Sequence, residues 1–194
     1  MARVALDHCL TGMEFAAGIP GSVGGALVMN AGAYGSEIKN ILKSARVMTN
    51  EGEVLELSVD ELELGYRTSC IPGRGYTVLE ASFQLEPGDG AAIEARMKEL
   101  AARRREKQPL EYPSAGSTFK RPQGYFAGKL IEDAGLRGYG MGGARVSEKH
   151  CGFVINRDHA TASDIMTLCQ DVKRRVKEHS GVELEMEVKT LGRF

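Results

Sequence analysis

The chain has 194 residues, of which 42% are hydrophobic and 26% charged, as in ordinary globular proteins with one large domain or two small ones. Its formal net charge of −1 leaves no global field that would attract nucleic acid or an anionic membrane, so we expect neither as a partner. No apolar stretch approaches the roughly 20 residues of a membrane span. The opening sequence MARVALDHCLTG also lacks the apolar core of a secretory signal.

Cysteine and glycine usage narrows the class of protein further. The four cysteines form no CxxC pair and no zinc-ligand pattern with the four histidines, so we predict free thiols in a reducing cytoplasm and no metal site. The cysteines are Cys9, Cys70, Cys151 and Cys169. The 24 glycines cluster at 18–35, 73–75 and 135–143 without a repeat period. Clustered glycine indicates tight turns or backbone that lies close to another group, and it is the first sign of a ligand.

The first predicted element is irregular. Residues 18–35 read GIPGSVGGALVMNAGAYG, which is apolar, nearly uncharged and without a helical stripe, so we predict a buried loop and a short helix. The segment has neither the Gly-Lys-Ser/Thr ending of a phosphate loop nor GxGxxG spacing. Its backbone N–H groups can still face a phosphate, because glycine leaves no side chain in the way. Close packing of the backbone is the alternative.

Strands and a long helix follow. The segments ARVMT and EVLELS flank Asn50-Glu51-Gly52, which predicts a hairpin. Residues 76–86 alternate as a half-buried strand does. The residues expected on its inner face are Thr77, Leu79, Ala81, Phe83 and Leu85. Asp89 is then expected to cap a helix over 91–107, whose inward positions are Ile93, Met97 and Leu100.

A domain boundary is predicted where Pro109 and Pro113 bracket an extended stretch, which gives domains 1–108 and 109–194. Just before it, Arg103-Arg104-Arg105 and Lys107 form a local basic run. This run is either an ordinary solvated helix end or a contact for an anion.

The second domain is predicted to contain helices over 125–134 and 161–180 and strands over 151–156 and 182–188. Thr161 or Ser163 is expected to cap the second helix, and glycines 135 and 181 end the two helices. The inward positions are expected to be Phe126, Leu130 and Ile131 in one helix, Ile165, Leu168, Val172 and Val176 in the other, and Val182, Leu184, Met186 and Val188 in the last strand. This mixture predicts an α+β fold.

Three polar residues are candidates for a functional site, and for each the alternative is an ordinary surface or structural residue. Arg67 belongs to the stretch 66–69, which follows a polar segment predicted to form a helical turn. It can fork to a carboxylate or phosphate, although surface arginines are common. Ser117 lies in a proline-bounded loop, but it has no GxSxG context and no His/Asp partners, so a hydrolase nucleophile is not indicated. Glu187 is one of three carboxylates on the polar face of a strand, and spacing alone does not single it out.

Five stretches in this order resemble one family, UDP-N-acetylenolpyruvoylglucosamine reductase. They are GMEFAAGIPGSVGGALVMNAGAYG (12–35), GYRTS (65–69), PSAGSTFKRP (113–122), AGKLIEDAGLRGYGMGGARVSEKHCGFVIN (127–156) and GVELEMEVKTLG (181–192). One such motif is only suggestive, whereas five in register are highly specific. The short spacing between the last motifs resembles the type of this enzyme that lacks an extra substrate-covering loop.

The resemblance implies a fold and an activity. Residues 1–108 are expected to be the second lobe of a two-lobed FAD-binding domain, and 109–194 a small α/β substrate-binding domain. Because the family begins with a lobe that carries another Gly-rich flavin loop, the chain is expected to start inside the second lobe and to lack the first. The implied reaction is the NADPH-dependent, FAD-mediated reduction of UDP-N-acetylglucosamine enolpyruvate to UDP-N-acetylmuramate, a cytoplasmic step of peptidoglycan precursor synthesis.

The resemblance also implies roles for single residues. Ser117 matches the proton donor, Arg67 the residue that polarises the substrate carboxylate, and Glu187 the acidic residue that works with it. The expected cofactor contacts, mostly through backbone, are Gly21, Ser22, Val23, Gly24 and Asn30. The expected substrate contacts are Lys107, Lys120, Arg121 and Tyr139.

Two alternatives remain open from sequence. Beside the reductase, the chain is compatible with another flavin oxidoreductase of the same fold and with a truncated module that binds a UDP-sugar without catalysis, since fold alone does not fix chemistry.

Overall fold

The computed structural model describes residues 1–192 and divides the chain into two compact units, Met1–Arg104 and Arg105–Phe194. Both units combine helices with antiparallel sheets, so the predicted α+β class is confirmed. None of the helices within this described range has the length and apolarity needed to cross a membrane.

The first unit is a three-stranded sheet with short elements packed around it. Its helices are α1 (Ala2–Asp7), α2 (Val23–Val28) and α3 (Gly90–Lys107), with 3₁₀ turns at Glu14–Ala16 and Ile38–Asn40. Its strands are β1 (Leu10–Thr11), β2 (Gly32–Ala33), β3 (Ser36–Glu37), β4 (Leu42–Met48), β5 (Val54–Ser58), β6 (Thr77–Phe83) and β7 (Glu86–Pro87). The main sheet has the order β5-β4-β6, which confirms the predicted hairpin. Its core contains fully buried Leu27, Val47 and Leu62.

Strand β6 forms as predicted, but part of the predicted inner face is wrong. Arg46 of β4 lies opposite Glu80, while Val47 lies opposite Val78, so Leu79 is an extra residue in the ladder. Such a bulge shifts the alternation by one position. Val78 therefore packs on the core, whereas Leu79 is 50% exposed. Thr77, also predicted to face inward, is exposed as well.

Helix α3 confirms its predicted start. The Asp89 carboxylate accepts hydrogen bonds from the backbone N–H groups of Ala91 and Ala92 at 3.1 and 3.3 Å, which satisfies donors that the first turn leaves unpaired. Ile93 and Leu100 are buried on the inward stripe. The division between the two units falls within the last turn of this helix.

The second unit is a four-stranded antiparallel sheet covered by two helices. Its elements are β8 (Ser114–Ser117), α4 (Ala127–Asp133), β9 (Gly140–Met141), β10 (Ala144–Val146), β11 (Phe153–Asn156) and α5 (Ala162–Ser180). The strand order is β8-β11-β10-β9. Helix α5 packs on α4 and on three strands, and its Leu168, Val172 and Val176 are fully buried.

The ends of the two helices follow local rules, with one correction. Thr161 and Asp164 form a reciprocal capping box at the start of α5, and Gly181 ends it at φ +73°. Helix α4, however, starts only at Ala127, and Phe126 is its N-cap with 63% of its surface exposed. The prediction that Phe126 faces inward is wrong, because the residue precedes the first helical turn.

The predicted strand over 182–188 does not form. The segment runs extended beside residues 118–120, with Lys120 N–H donating to the Glu185 carbonyl at 2.8 Å and Glu187 N–H donating to the Thr118 carbonyl at 2.9 Å. Pro122 has no N–H to donate to a further hydrogen-bonded pair on that side. The predicted inward alternation is kept at Leu184, which is fully buried.

Candidate functional site

The Gly-rich segment of the first unit presents an open loop rather than the buried one predicted from sequence. Gly18, Pro20, Gly21 and Ser22 are all exposed, because the short helix α2 that follows supplies the apolar contacts. Gly21 has φ +133°, and a Cβ built there would have no heavy atom within 4 Å. A ligand can therefore approach the backbone of this loop closely.

The loop borders a largely apolar cavity of about 660 Å³ in the first unit. The cavity is lined by residues of α1, of the loop and α2, and of α3, including Leu6, Phe15, Ile19, Val23 and Met97. Its size lies within the range of small-molecule and cofactor pockets. Gly21, Ser22 and Val23, three of the predicted cofactor contacts, belong to its lining. Ser22 also caps α2, since its hydroxyl accepts from the Gly25 N–H at 3.1 Å.

Helix α3 holds both ends of this Gly-rich segment. The guanidinium of Arg104 donates to the Gly18 carbonyl, and the Tyr34 hydroxyl donates to the Leu100 carbonyl at 3.2 Å. Sequence reasoning placed Arg104 only in a basic run and missed this contact. The available signal was the spacing of Leu100 and Arg104, which places both residues on one helix face.

Arg67 lies in a tight turn against the same segment. Gly65 and Thr68 exchange backbone hydrogen bonds of 3.1 and 3.3 Å, and Arg67 between them has φ +56°. Its guanidinium donates to the Gly32 carbonyl at 2.9 Å and lies 5.1 Å from the centre of the Tyr66 ring. The structure thus brings Arg67 together with the predicted cofactor segment.

Asn30 is completely buried and has φ +42°. Its side-chain amide donates to the Gly65 carbonyl at 3.1 Å, and its side-chain oxygen accepts from the Lys39 N–H at 2.9 Å. These bonds occupy the side chain within the protein, so a cofactor contact at this position would use the backbone. That contact remains a prediction.

Ser117 and Glu187 belong to adjacent extended segments of the second unit. Ser117 is exposed at the end of β8, directly after Gly116 at φ +87°. The pairing described above places Glu187 opposite Thr118, the next residue after Ser117. Glu187 is only half-exposed and does not lie on a fully solvated face. An exposed hydroxyl and a half-buried carboxyl therefore occupy adjacent extended segments.

Lys120 and Arg121 continue the same extended segment. Lys120 forms an ion pair with Glu185 at 2.5 Å, and 71% of the Glu185 side chain is exposed. The Arg121 guanidinium lies 4.0 Å from the centre of the Phe126 ring and donates to the Tyr125 carbonyl at 3.2 Å. Both cationic side chains thus lie within four residues of Ser117.

Lys107 contributes charge elsewhere in the second unit, beside His150. Burial, with a smaller effect from the nearby Lys107 charge, lowers the pKa of His150. The neutral imidazole accepts from the Gly152 N–H at 3.0 Å through Nδ1. Sequence reasoning did not select His150.

The structure does not bring Tyr139 to Ser117. Tyr139 directly precedes β9, and β8 and β9 are opposite edges of the sheet, roughly 14 Å apart at ordinary strand spacing. Its hydroxyl donates to the Asp171 carboxylate at 2.8 Å, and the Arg175 guanidinium lies 4.5 Å from its ring centre. Hydrogen bonds from Arg174 and then Tyr139 lower the pKa of Asp171 to about 2. A substrate contact by Tyr139 stays a prediction.

Comparisons with known proteins find one matching family model in each part of the chain. Residues 2–58 match the family described as FAD binding domain, and residues 108–191 match that described as UDP-N-acetylenolpyruvoylglucosamine reductase, C-terminal domain. The crystal structure of UDP-N-acetylenolpyruvylglucosamine reductase from Thermus caldophilus superposes with a TM-score of 0.84 at 34% identity. That match covers 97% of this chain and 67% of the Thermus chain.

Curated relatives are more similar in sequence. UDP-N-acetylenolpyruvoylglucosamine reductase from Lachnoclostridium phytofermentans is 64% identical over 96% of this chain, and that from Agathobacter rectalis is 60% identical over 100% of it. The chain spans 60% and 62% of the length of these two relatives. The chain belongs to the UDP-N-acetylenolpyruvoylglucosamine reductase family, as the five sequence motifs predicted.

Proposed function

We propose that this chain provides the flavin-side unit and the substrate-side unit of an NADPH-dependent reductase. Its substrate is UDP-N-acetylglucosamine enolpyruvate, and its product is UDP-N-acetylmuramate, in peptidoglycan precursor synthesis. The observation that carries the proposal is the 64% identity of the chain to a named reductase over 96% of its length. The assignment of Arg67, Ser117 and Glu187 as catalytic residues is part of the proposal, and it is supported by the resemblance of the stretches around them to motifs of the family.

The residues of the first unit fit FAD. The exposed loop at Gly21 leaves its backbone open to a diphosphate, and the neighbouring cavity of about 660 Å³ offers apolar walls to a ring system. Gly21, Ser22, Val23 and Gly24 would hold the cofactor through backbone groups. When bound, FAD supplies the hydride, taken from NADPH, that reduces the enolpyruvyl double bond.

The chemistry left to the side chains is charge stabilisation and one proton transfer. Addition of hydride to the terminal carbon of the enol ether develops negative charge on the neighbouring carbon and its carboxylate. Arg67 provides a fixed cation for that carboxylate, which stabilises the charged transition state more than the ground state. The Ser117 hydroxyl delivers the proton to the carbon, which is basic enough to accept it from a weak acid.

Glu187 is assigned to work with these two groups, and its half-buried position beside the Ser117 strand supports that role. Lys120 and Arg121 flank Ser117 with positive charge that suits an anionic nucleotide sugar. Lys107 is the proposed cation for the diphosphate. Because NADPH and nucleotide sugars are both cytoplasmic metabolites, we place the enzyme in the cytoplasm.

The proposal is tested by following NADPH consumption in the presence of FAD and the enolpyruvyl sugar nucleotide. Since the chain spans about three fifths of its relatives, the assay is run with the chain by itself and with the remaining part of the Lachnoclostridium relative added. We expect consumption that requires the enolpyruvyl group, with UDP-N-acetylglucosamine as the inert control, and a lactyl product identified by mass spectrometry. Binding of the nucleotide sugar without any reduction in the completed enzyme would instead favour a binding module.

A further inference from the structure

A small polar network in the first unit joins the Gly-rich segment to the turn that carries Arg67. The turn is closed by two backbone hydrogen bonds between Gly65 and Thr68, at 3.1 and 3.3 Å. Arg67 lies within it at φ +56°, a conformation that costs a non-glycine residue roughly 1 kcal/mol. A turn with a strained residue persists only when the surrounding contacts hold it in that conformation.

Asn30 supplies such a contact from a fully buried position. Its Nδ2 group donates to the Gly65 carbonyl at 3.1 Å, and its Oδ1 atom accepts from Lys39 N–H at 2.9 Å. Asparagine is also among the few side chains that tolerate its own φ of +42°. One residue therefore connects the end of α2, the 3₁₀ turn at 38–40 and the Arg67 turn.

Two other bonds tie the same turn to the chain on either side of Asn30. Arg67 donates to the Gly32 carbonyl at 2.9 Å, and the Ser69 hydroxyl donates to the Val28 carbonyl at 2.7 Å. The turn and residues 28–32 are thus linked at three successive points, with Asn30 in the middle. Since the Asn30 side chain is fully buried, water has little access to its end of these bonds.

We propose that Asn30 is a positioning residue that locks the Arg67 turn onto the Gly-rich segment. The Asn30 amide sets the direction of the Arg67 guanidinium and links it mechanically to the loop next to the cavity. This assignment replaces a direct cofactor contact by the Asn30 side chain. The inference rests on contacts within the first unit and does not depend on the proposed reaction.

Hydrogen exchange in the full chain tests the inference without any cofactor or substrate. In Asn30→Asp the side chain keeps its shape and its acceptor atoms but loses the N–H that binds the Gly65 carbonyl. We expect exchange of the Arg67 guanidinium protons and of the Gly65 and Thr68 amides, read by NMR, to accelerate about tenfold or more. The Arg104 guanidinium, which binds a different carbonyl, and the Val47 amide of β4 should keep their parental rates.

Asn40→Asp is the matched control, because Asn40 is exposed in the 3₁₀ turn, and it should change none of these rates. Unchanged exchange at Gly65, Thr68 and Arg67 in Asn30→Asp would overturn the inference. Equal acceleration at Val47 and Arg104 would also overturn it, because Asn30 would then be a general core residue. If Asn30→Asp does not fold, Ser69→Ala decides: we expect protection at Gly65 and Thr68 to persist while Asn30 remains, and its loss would contradict the assignment.

Discussion

The Gly-rich segment of the first unit and the Ser117 segment of the second unit satisfy their backbone polar groups in different ways. In the first, the side chains of Asn30, Arg67 and Ser69 bind main-chain carbonyls. In the second, main chain pairs with main chain between residues 118–120 and 185–187. Buried backbone groups must be paired in either case. The difference shows that Asn30, Arg67 and Ser69 of the first unit also hold the fold, whereas the exposed Ser117 side chain of the second unit remains available for chemistry.

The largest expected effect tests that availability at Ser117. Ser117→Ala should lower turnover about 10³-fold through loss of the proton donor, while the free energy of unfolding changes by less than about 0.5 kcal/mol because the side chain is exposed. Steady-state kinetics and urea denaturation of the same preparations give both values. Ser114→Ala, at an exposed position of the same strand, should retain activity. Full turnover by Ser117→Ala would remove Ser117 from the mechanism.

For Asn30 in the first unit, we expect replacement to lower the stability of the fold. Asn30→Ala should reduce the free energy of unfolding by about 3 kcal/mol, because the Gly65 carbonyl and the Lys39 N–H both lose a buried partner. Asn40→Ala, at an exposed position nearby, should change it by less than about 0.5 kcal/mol. Equilibrium urea unfolding measures both variants. Equal stabilities for the two would show that the buried network contributes little.

The third prediction separates two carboxylates that the sequence pattern does not distinguish. Glu187→Gln should lower turnover about 10²-fold if Glu187 takes part in catalysis. Glu185→Gln should leave turnover unchanged and cost less than about 0.5 kcal/mol of stability, because its ion pair with Lys120 is at the surface. Turnover measured in parallel for the two variants distinguishes a specific role of Glu187 from a general effect of charge. Equal losses in both variants would point to strand pairing or overall charge, and not to a specific role for Glu187.

The smallest effect concerns acid stability of the second unit at Asp171. Hydrogen bonds, first from Arg174, lower the pKa of Asp171 to about 2. A lowered carboxyl pKa stabilises the folded state above the unfolded pKa of about 4, and this contribution is lost as the pH falls toward about 2. Asp171→Asn should therefore cost about 1 kcal/mol at pH 6 and almost nothing at pH 2. Urea unfolding at both pH values measures this, and a pH-independent difference would contradict it.

Local features of the chain were predictable from sequence. The capping box of α5 and its apolar stripe depend on residues three or four positions apart, and Asp89 marks the start of α3 in the same way. Ser117 and Glu187 were selected by resemblance, because neither has a local pattern of its own. The bulge at Leu79 and the short pairing of 182–188 depend on the partner segment, which periodicity does not reveal.

The residues that support the site were harder to predict from sequence. Asn30 binds a carbonyl 35 positions away, and Arg104 binds one 86 positions away. Neither spacing produces a local pattern, since both contacts exist only once the first unit has folded. The sequence therefore predicts the residues that meet the ligands better than the residues that hold them in place.

The most direct test of the proposed reductase follows the visible flavin band under anaerobic conditions, in the chain completed with the remaining part of a curated relative and loaded with FAD. NADPH should bleach the band, and the enolpyruvyl sugar nucleotide should then restore it, while UDP-N-acetylglucosamine should not. A band that NADPH bleaches but the enolpyruvyl sugar nucleotide leaves bleached would contradict the proposed reaction.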